Sequence, residues 1–179
     1  MTMAIRNIVT PPNPTLRAKA RAVRAFTPDL QQLIDDMIET LRDAPGVGLA
    51  APQVDIGQRV IIVEYAEGSE DDSKTDIPPK PPKLYVVVNP EIKRMSRETV
   101  LGNEACLSLP GYFGEVERAE RVTIKGLDRH GHDFKLKAKG WLARIFQHEI
   151  DHLDGILYID RAREIWRIEA DQENTPAAA

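Results

Sequence analysis

The chain has 179 residues, 42% hydrophobic and 29% charged, which is enough for one domain with a proper core. Lys and Arg number 24 against 28 Asp and Glu. The net charge of −4 argues against a basic nucleic-acid-coating surface, though it leaves room for a local basic patch. The best uncharged run, residues 44–54, falls far short of the ~20 residues that span a bilayer. No apolar stretch behind a basic start reads as a signal peptide. A single cysteine, Cys106, excludes an intrachain disulfide, and a reducing, cytoplasmic setting is expected.

In chain order, residues 1–26 are irregular, punctuated by Pro11, Pro12 and Pro14, with a short basic helix expected near Leu16–Ala22. Thr27-Pro28-Asp29 reads as a helix start: a capping hydroxyl, a proline at the first helical position, and an acid at the positive end of the dipole. Leu30, Leu33, Ile34, Met37, Ile38 and Leu41 then form one helical face, and Pro45-Gly46 ends it. Gly46 to Gln53 (GVGLAAPQ) is small and apolar. Residues 59–63 (RVIIV) and 84–88 (LYVVV) read as buried strands. Residues 64–83 between them carry six acids, three lysines and four prolines, and are expected to form a solvated, mobile loop. Residues 112–140 read as antiparallel β-structure around a turn at 128–132, where His130 and His132 are expected to be solvated. A last helix is expected from Trp141 to Leu153, stopped by Gly155. Another short one is expected over Arg161–Ala170, before a frayed tail at 174–179. Residues 1–173 are expected to form a single domain.

The run His148-Glu149-Ile150-Asp151-His152 carries the strongest chemical signal. At about 100° per residue, Arg144, Gln147, Asp151 and Asp154 fall on the expected solvent face of the last helix. His148, Glu149 and His152 fall against or within the apolar face. Burying two imidazoles and a carboxylate calls for compensation, and a divalent metal supplies it. Residues at i and i+4 can share one ion, and Glu149 is placed as a general base. The competing reading is a pair of hydrogen-bonded core histidines. Cys106, in Glu104-Ala105-Cys106-Leu107-Ser108, is either an inert core residue or the third ligand of an N₂S site. A metallopeptidase shares the H-E-x-x-H pattern but usually takes a third His or Glu. A metal-stabilised binding module needs a fourth donor, and none is apparent.

Three runs in order resemble the peptide deformylase family: GVGLAAPQ at Gly46–Gln53, EACLS at Glu104–Ser108, and HEIDH at His148–His152. Ala105 stands where that family usually has glycine. Asp55 also replaces a common glycine, which reads as surface variation. The resemblance implies an α+β fold, with antiparallel strands packed around a buried helix that carries HEIDH. It implies hydrolysis of the formyl group from the N-formylmethionine of new polypeptides. Cys106, His148 and His152 would hold one divalent metal, with Fe²⁺ favoured and Zn²⁺, Ni²⁺ or Co²⁺ also fitting. Glu149 would be the general base and acid, and the Gln53 amide and the Leu107 N–H would stabilise the oxyanion. Gly48 would offer backbone contacts to substrate, and Val47 and Ile145 would line a methionine pocket. The partners implied are N-formylmethionyl nascent chains and, transiently, the ribosome. No membrane partner is expected, and no direct nucleic-acid site is evident in the sequence.

Overall fold

The computed structural model describes residues 4–66 and 81–168. The first helix, α1 (Pro28–Asp43), starts as its sequence dictates: the Thr27 side chain accepts from the Leu30 N–H and Pro28 opens the first turn. Its apolar stripe is buried. The strands are β1 (Gly48–Ala50), β2 (Val60–Tyr65), β3 (Lys83–Met95), β4 (Thr99–Glu104), β5 (Tyr112–Ala119), β6 (Arg121–Leu127), β7 (Asp133–Lys139) and β8 (Glu164–Arg167). They form a five-stranded sheet, β1-β2-β3-β6-β7, and a three-stranded sheet, β4-β5-β8, with every pairing antiparallel. The second helix, α2 (Gly140–Leu153), packs against both sheets.

The near-continuous apolar run of β2 follows from burial on both faces. Leu49, Val60, Ile62 and Val88 join the α1 core. Their neighbours Ala50, Ile61, Val63 and Val87 join the α2 core with Val122, Ile124, Ala138 and Ile145. The two-residue period of the strands thus splits the hydrophobic interior into two layers. On β6 and β7 only one face is apolar, and the other, bearing Arg121, Lys125, Lys135, Lys137 and Lys139, is exposed.

Several expectations need correction. Arg144, Gln147 and Asp151 do not face solvent; each is buried, because the three-stranded sheet covers that side of α2. Arg144 donates to the carbonyls of Val100 and Val116. Gln147 pairs with both peptide groups of Ala119. Asp151 accepts from Arg118 and Arg161. Only Asp154 is exposed, paired with Arg59. The short helix expected over Arg161–Ala170 is instead a 3-10 turn, Tyr158–Asp160, followed by β8, which pairs with β5. The N-terminal helix shrinks to one 3-10 turn, Pro14–Arg17. The expected loop loses its ends: Glu64 and Tyr65 pair with Leu84 and Lys83, and Arg42 neutralises Glu64 at 2.8 Å. The rest of that loop, residues 67–80, and the tail at 174–179 lie outside the described residues. His130 and His132 are exposed turn residues, as expected.

Candidate metal centre

α2 brings His148 and His152 onto one face, their ring centroids 5.0 Å apart. Cys106 arrives from the turn between β4 and β5, which a Leu109 N–H to Cys106 carbonyl bond closes at 2.9 Å. One ligand atom from each of the three side chains lies within 4.8 Å of the others, and all three residues are buried. Cys106 Sγ is 3.3 Å from His152 Nε2. His148 Nδ1 donates to Glu104 at 2.9 Å, which leaves its Nε2 facing the cluster. That Nε2 has no hydrogen-bond partner, and neither has His152 Nδ1. Buried polar atoms are almost always paired. A soft thiolate, two imidazoles and an unpartnered, inward-facing nitrogen fit one divalent cation.

Glu104, the last residue of β4, is fully buried and anchors the site. Burial pushes its carboxyl up, but hydrogen bonds from Arg118 and His148 outweigh this and hold it well below the usual carboxylate range. Arg118 grips it at 2.8 and 2.9 Å, and Arg144 adds a bond at 2.8 Å. Burial, the largest cause, pulls His152 down, which favours the neutral form that a ligand needs. Sequence reasoning placed none of Glu104, Arg118 or Arg144 in the site. Glu104 opens the second motif and could have been found there, whereas Arg118 has no local signature.

Glu149 is 1% exposed and neither carboxylate oxygen has a partner. Burial pushes it up to about 7, the value suited to moving protons near neutrality. Gly48 explains how the carboxylate fits. A Cβ there would lie 2.3 Å from Glu149 Oε1. Gln53 lies in the 3-10 turn Ala51–Val54. Its Oε1 accepts from the Ala50 N–H at 2.8 Å, which turns its Nε2 toward Cys106 Sγ at 3.5 Å and Ser108 Oγ at 3.4 Å. The Leu107 N–H, next to Cys106, makes no hydrogen bond among the described residues. Ile145 is fully buried on α2, and Val47 packs against the same core cluster. Asp55 is more than surface variation: it holds a left-handed φ of 63° and accepts from Asn13 and Thr15, tying down the N-terminal segment.

The model of the polypeptide deformylase family matches residues 5–167. The chain belongs to that family. Among relatives, the peptide deformylase of Symbiobacterium thermophilum is 45% identical over 98% of this chain and 75% of its own. That of Dehalococcoides mccartyi is 48% identical over 88% of this chain and 86% of its own. Among solved structures, the class I type b peptide deformylase of Acinetobacter baumannii, bound to Met-Ala-Ser, superposes with a TM-score of 0.79. It is 39% identical, covering 89% of this chain and 99% of that one. The Legionella pneumophila peptide deformylase gives a TM-score of 0.76 at 41% identity, covering 88% of this chain and 86% of that one. Members of this family are metal-dependent hydrolases that remove N-formyl groups from nascent polypeptides, and the Cys-His-His group fits that chemistry. The α+β fold around α2 agrees with the solved relatives. No helix among the described residues is long and apolar enough to cross a membrane.

Proposed function

We propose that this chain deformylates N-formylmethionyl nascent polypeptides with Glu149 as its proton carrier, in one domain spanning residues 1–173. The observation that carries this reading is a buried carboxylate with two unpartnered oxygens, directly beside a buried Cys-His-His cluster. Cys106, His148 and His152 would hold one divalent ion, natively Fe²⁺. When bound, such an ion supplies Lewis acidity that activates water and polarises a carbonyl. Glu149 takes the proton of the attacking water and returns it to the leaving nitrogen, giving formate and a free N-terminus. The Gln53 Nε2 and the Leu107 N–H donate to the oxygen that becomes negative; one such donor is typically worth about 2.7–4 kcal/mol.

Substrate alignment follows from β1, an edge strand of its sheet. The Glu64 N–H bonds the Val47 carbonyl, so in the alternating ladder the peptide groups of Gly48 face the outer edge. An extended peptide can add there as a further strand. Val47 and Ile145 supply apolar surface for the methionine side chain. The A. baumannii relative is described bound to Met-Ala-Ser, a tripeptide that begins with the residue expected after formyl removal. Nascent substrates place the enzyme in the cytoplasm, in transient contact with ribosomes. The test is formate release from a formyl-Met tripeptide by anaerobically purified protein, with casein as the contrasting substrate. The expected result is chelator-sensitive formate release and intact casein; casein cleavage without formate release would reject the reading.

A further inference from the structure

The exposed face of β3, β6 and β7 concentrates positive charge on a chain whose net charge is −4. The pairing register sets Lys125 opposite Lys135 and Arg121 opposite Lys139, with Arg94, Thr123 and Lys137 in one row between them. Like charges directly opposite one another destabilise a sheet, so folding alone does not favour this arrangement. Two adjoining grooves of about 380 and 530 Å³ run over this face and share Arg94, Thr123 and Lys137. No acidic side chain lines either groove. Lys93 and Arg121 are paired with Glu91 and Glu98. Arg94, Arg97, Lys125, Lys135, Lys137 and Lys139 make no ion pair among the described residues.

We propose that this face binds the phosphate backbone of duplex RNA. Cations along one strand recur about every 6.6–6.8 Å, and facing strands lie about 4.7–4.9 Å apart, which makes a two-dimensional array suited to successive phosphates. The grooves contain no aromatic side chain, so they offer no platform for stacked single-stranded bases. Met95 is the one large apolar side chain exposed there, too little to insert into a lipid surface. The choice of RNA rests on the deformylase reading, because nascent chains are presented at the surface of an RNA-rich particle. The site lies on the sheet face opposite the α2 core, so occupancy leaves the metal centre free.

The test is fluorescence anisotropy of the full-length holoenzyme with a labelled RNA duplex of about 20 base pairs, between about 50 and 200 mM KCl. With four to six phosphates engaged, log K should fall with log salt with a slope of about −4 to −5. Lys125→Gln/Lys135→Gln/Lys137→Gln should weaken binding at least about tenfold at the low salt and make the slope shallower by about two to three. Its deformylation of a formyl tripeptide should stay at the wild-type level, which also shows that it folds. Arg94→Gln/Arg97→Gln should weaken binding from the β3 side. The charge-matched Lys19→Gln/Arg21→Gln/Arg24→Gln should bind like wild type. The assay reads no catalysis, so its outcome is independent of the proposed chemistry. Absence of binding at the lower salt, equal binding by wild type and the triple lysine variant, or equal loss in the N-terminal control would overturn the proposal. So would tighter binding to a DNA duplex or to phosphatidylglycerol vesicles.

Discussion

Gly48→Ala places one methyl group against the Glu149 carboxylate, which supplies its three nearest atoms. Its Cβ would lie 2.3 Å from Glu149 Oε1, 2.8 Å from Cδ and 2.9 Å from Cγ, whereas ordinary contact begins at 3.4 Å. The whole side chain must therefore retreat by about 1 Å, a misplacement that can cost about 10²-fold in rate. Gly48 sits in a regular strand, so the substitution acts through contact and not through backbone strain. We expect kcat for formate release to fall about 10²-fold with KM changed much less. Metal content should stay full, because none of the ligands is among the nearest atoms. Overpacking should also cost about 1–3 kcal/mol of stability, read by urea unfolding. Gly57→Ala, which meets nothing within 4 Å, is the neutral control. Gly46→Ala meets first the flexible Leu107 side chain, at 3.0 Å, and should have a small effect. Wild-type kcat in Gly48→Ala, loss of metal, or an effect confined to KM would refute the claim that Gly48 makes room for Glu149.

Glu149→Gln should retain metal by elemental analysis yet lose about 10²–10⁴-fold in turnover, the usual contribution of a general base. Glu104→Gln removes the charged acceptor from His148 and should weaken metal affinity about 10–100-fold in a chelator competition. Asp36 gives a pH signature far from the metal. Burial raises its pKa, but bonds from the Ala4 N–H, Gln32 and Arg6 outweigh this and hold it below the usual value. Its contribution is therefore present above about pH 3.8 and lost as pH falls through the lower folded value. The stability gap between wild type and Asp36→Asn in urea should accordingly be full at neutral pH and close in acid. Protein loaded with iron should lose activity in air while the nickel form persists, because Fe²⁺ is readily oxidised beside the Cys106 sulfur and Ni²⁺ is not; equal decay rates would contradict this.

Much of the fold was legible because two periods dominate it. The 3.6-residue stripe of α1 and its Thr27-Pro28 start need only local information, and both are realised. The RVIIV run reads as a strand because both its faces are buried. β4 (TVLGNE) and β8 (EIWR) escaped notice because they are short, polar and largely exposed. Their pairing with β5, and not their composition, makes them strands. The helical wheel failed at Arg144, Gln147 and Asp151 for a related reason. It assigns polar residues to water, but here a second sheet supplies their partners, Val116, Arg118 and Ala119 of β5, from distant parts of the chain. Within the site, the HEIDH spacing exposed His148, Glu149 and His152, since i and i+4 share a face. The guanidinium of Arg118 is set entirely by tertiary contact.

That guanidinium completes a chain of alternating charge, Arg161, Asp151, Arg118 and Glu104, running inward from the surface to the His148 imidazole. Arg161 is half-exposed, Asp151 nearly buried, and Arg118, Glu104 and His148 are buried. Burying such groups in pairs gains little net stability, because desolvation offsets their attraction. Removing one member is different, since it strands the others; a broken buried pair costs about 3–5 kcal/mol. The chain is thus better understood as a positioning device than as a source of stability. Two of its four links are bidentate: Arg161 donates twice to Asp151, and Arg118 holds Glu104 by both carboxylate oxygens. Glu104 in turn fixes which nitrogen of His148 faces Cys106. Asp151 shares a helix with both histidines, so the same network ties α2 to β5 and to the segment leading into β8. The ligand geometry is consequently set by the packing of the two sheets around α2, not by the HEIDH segment alone.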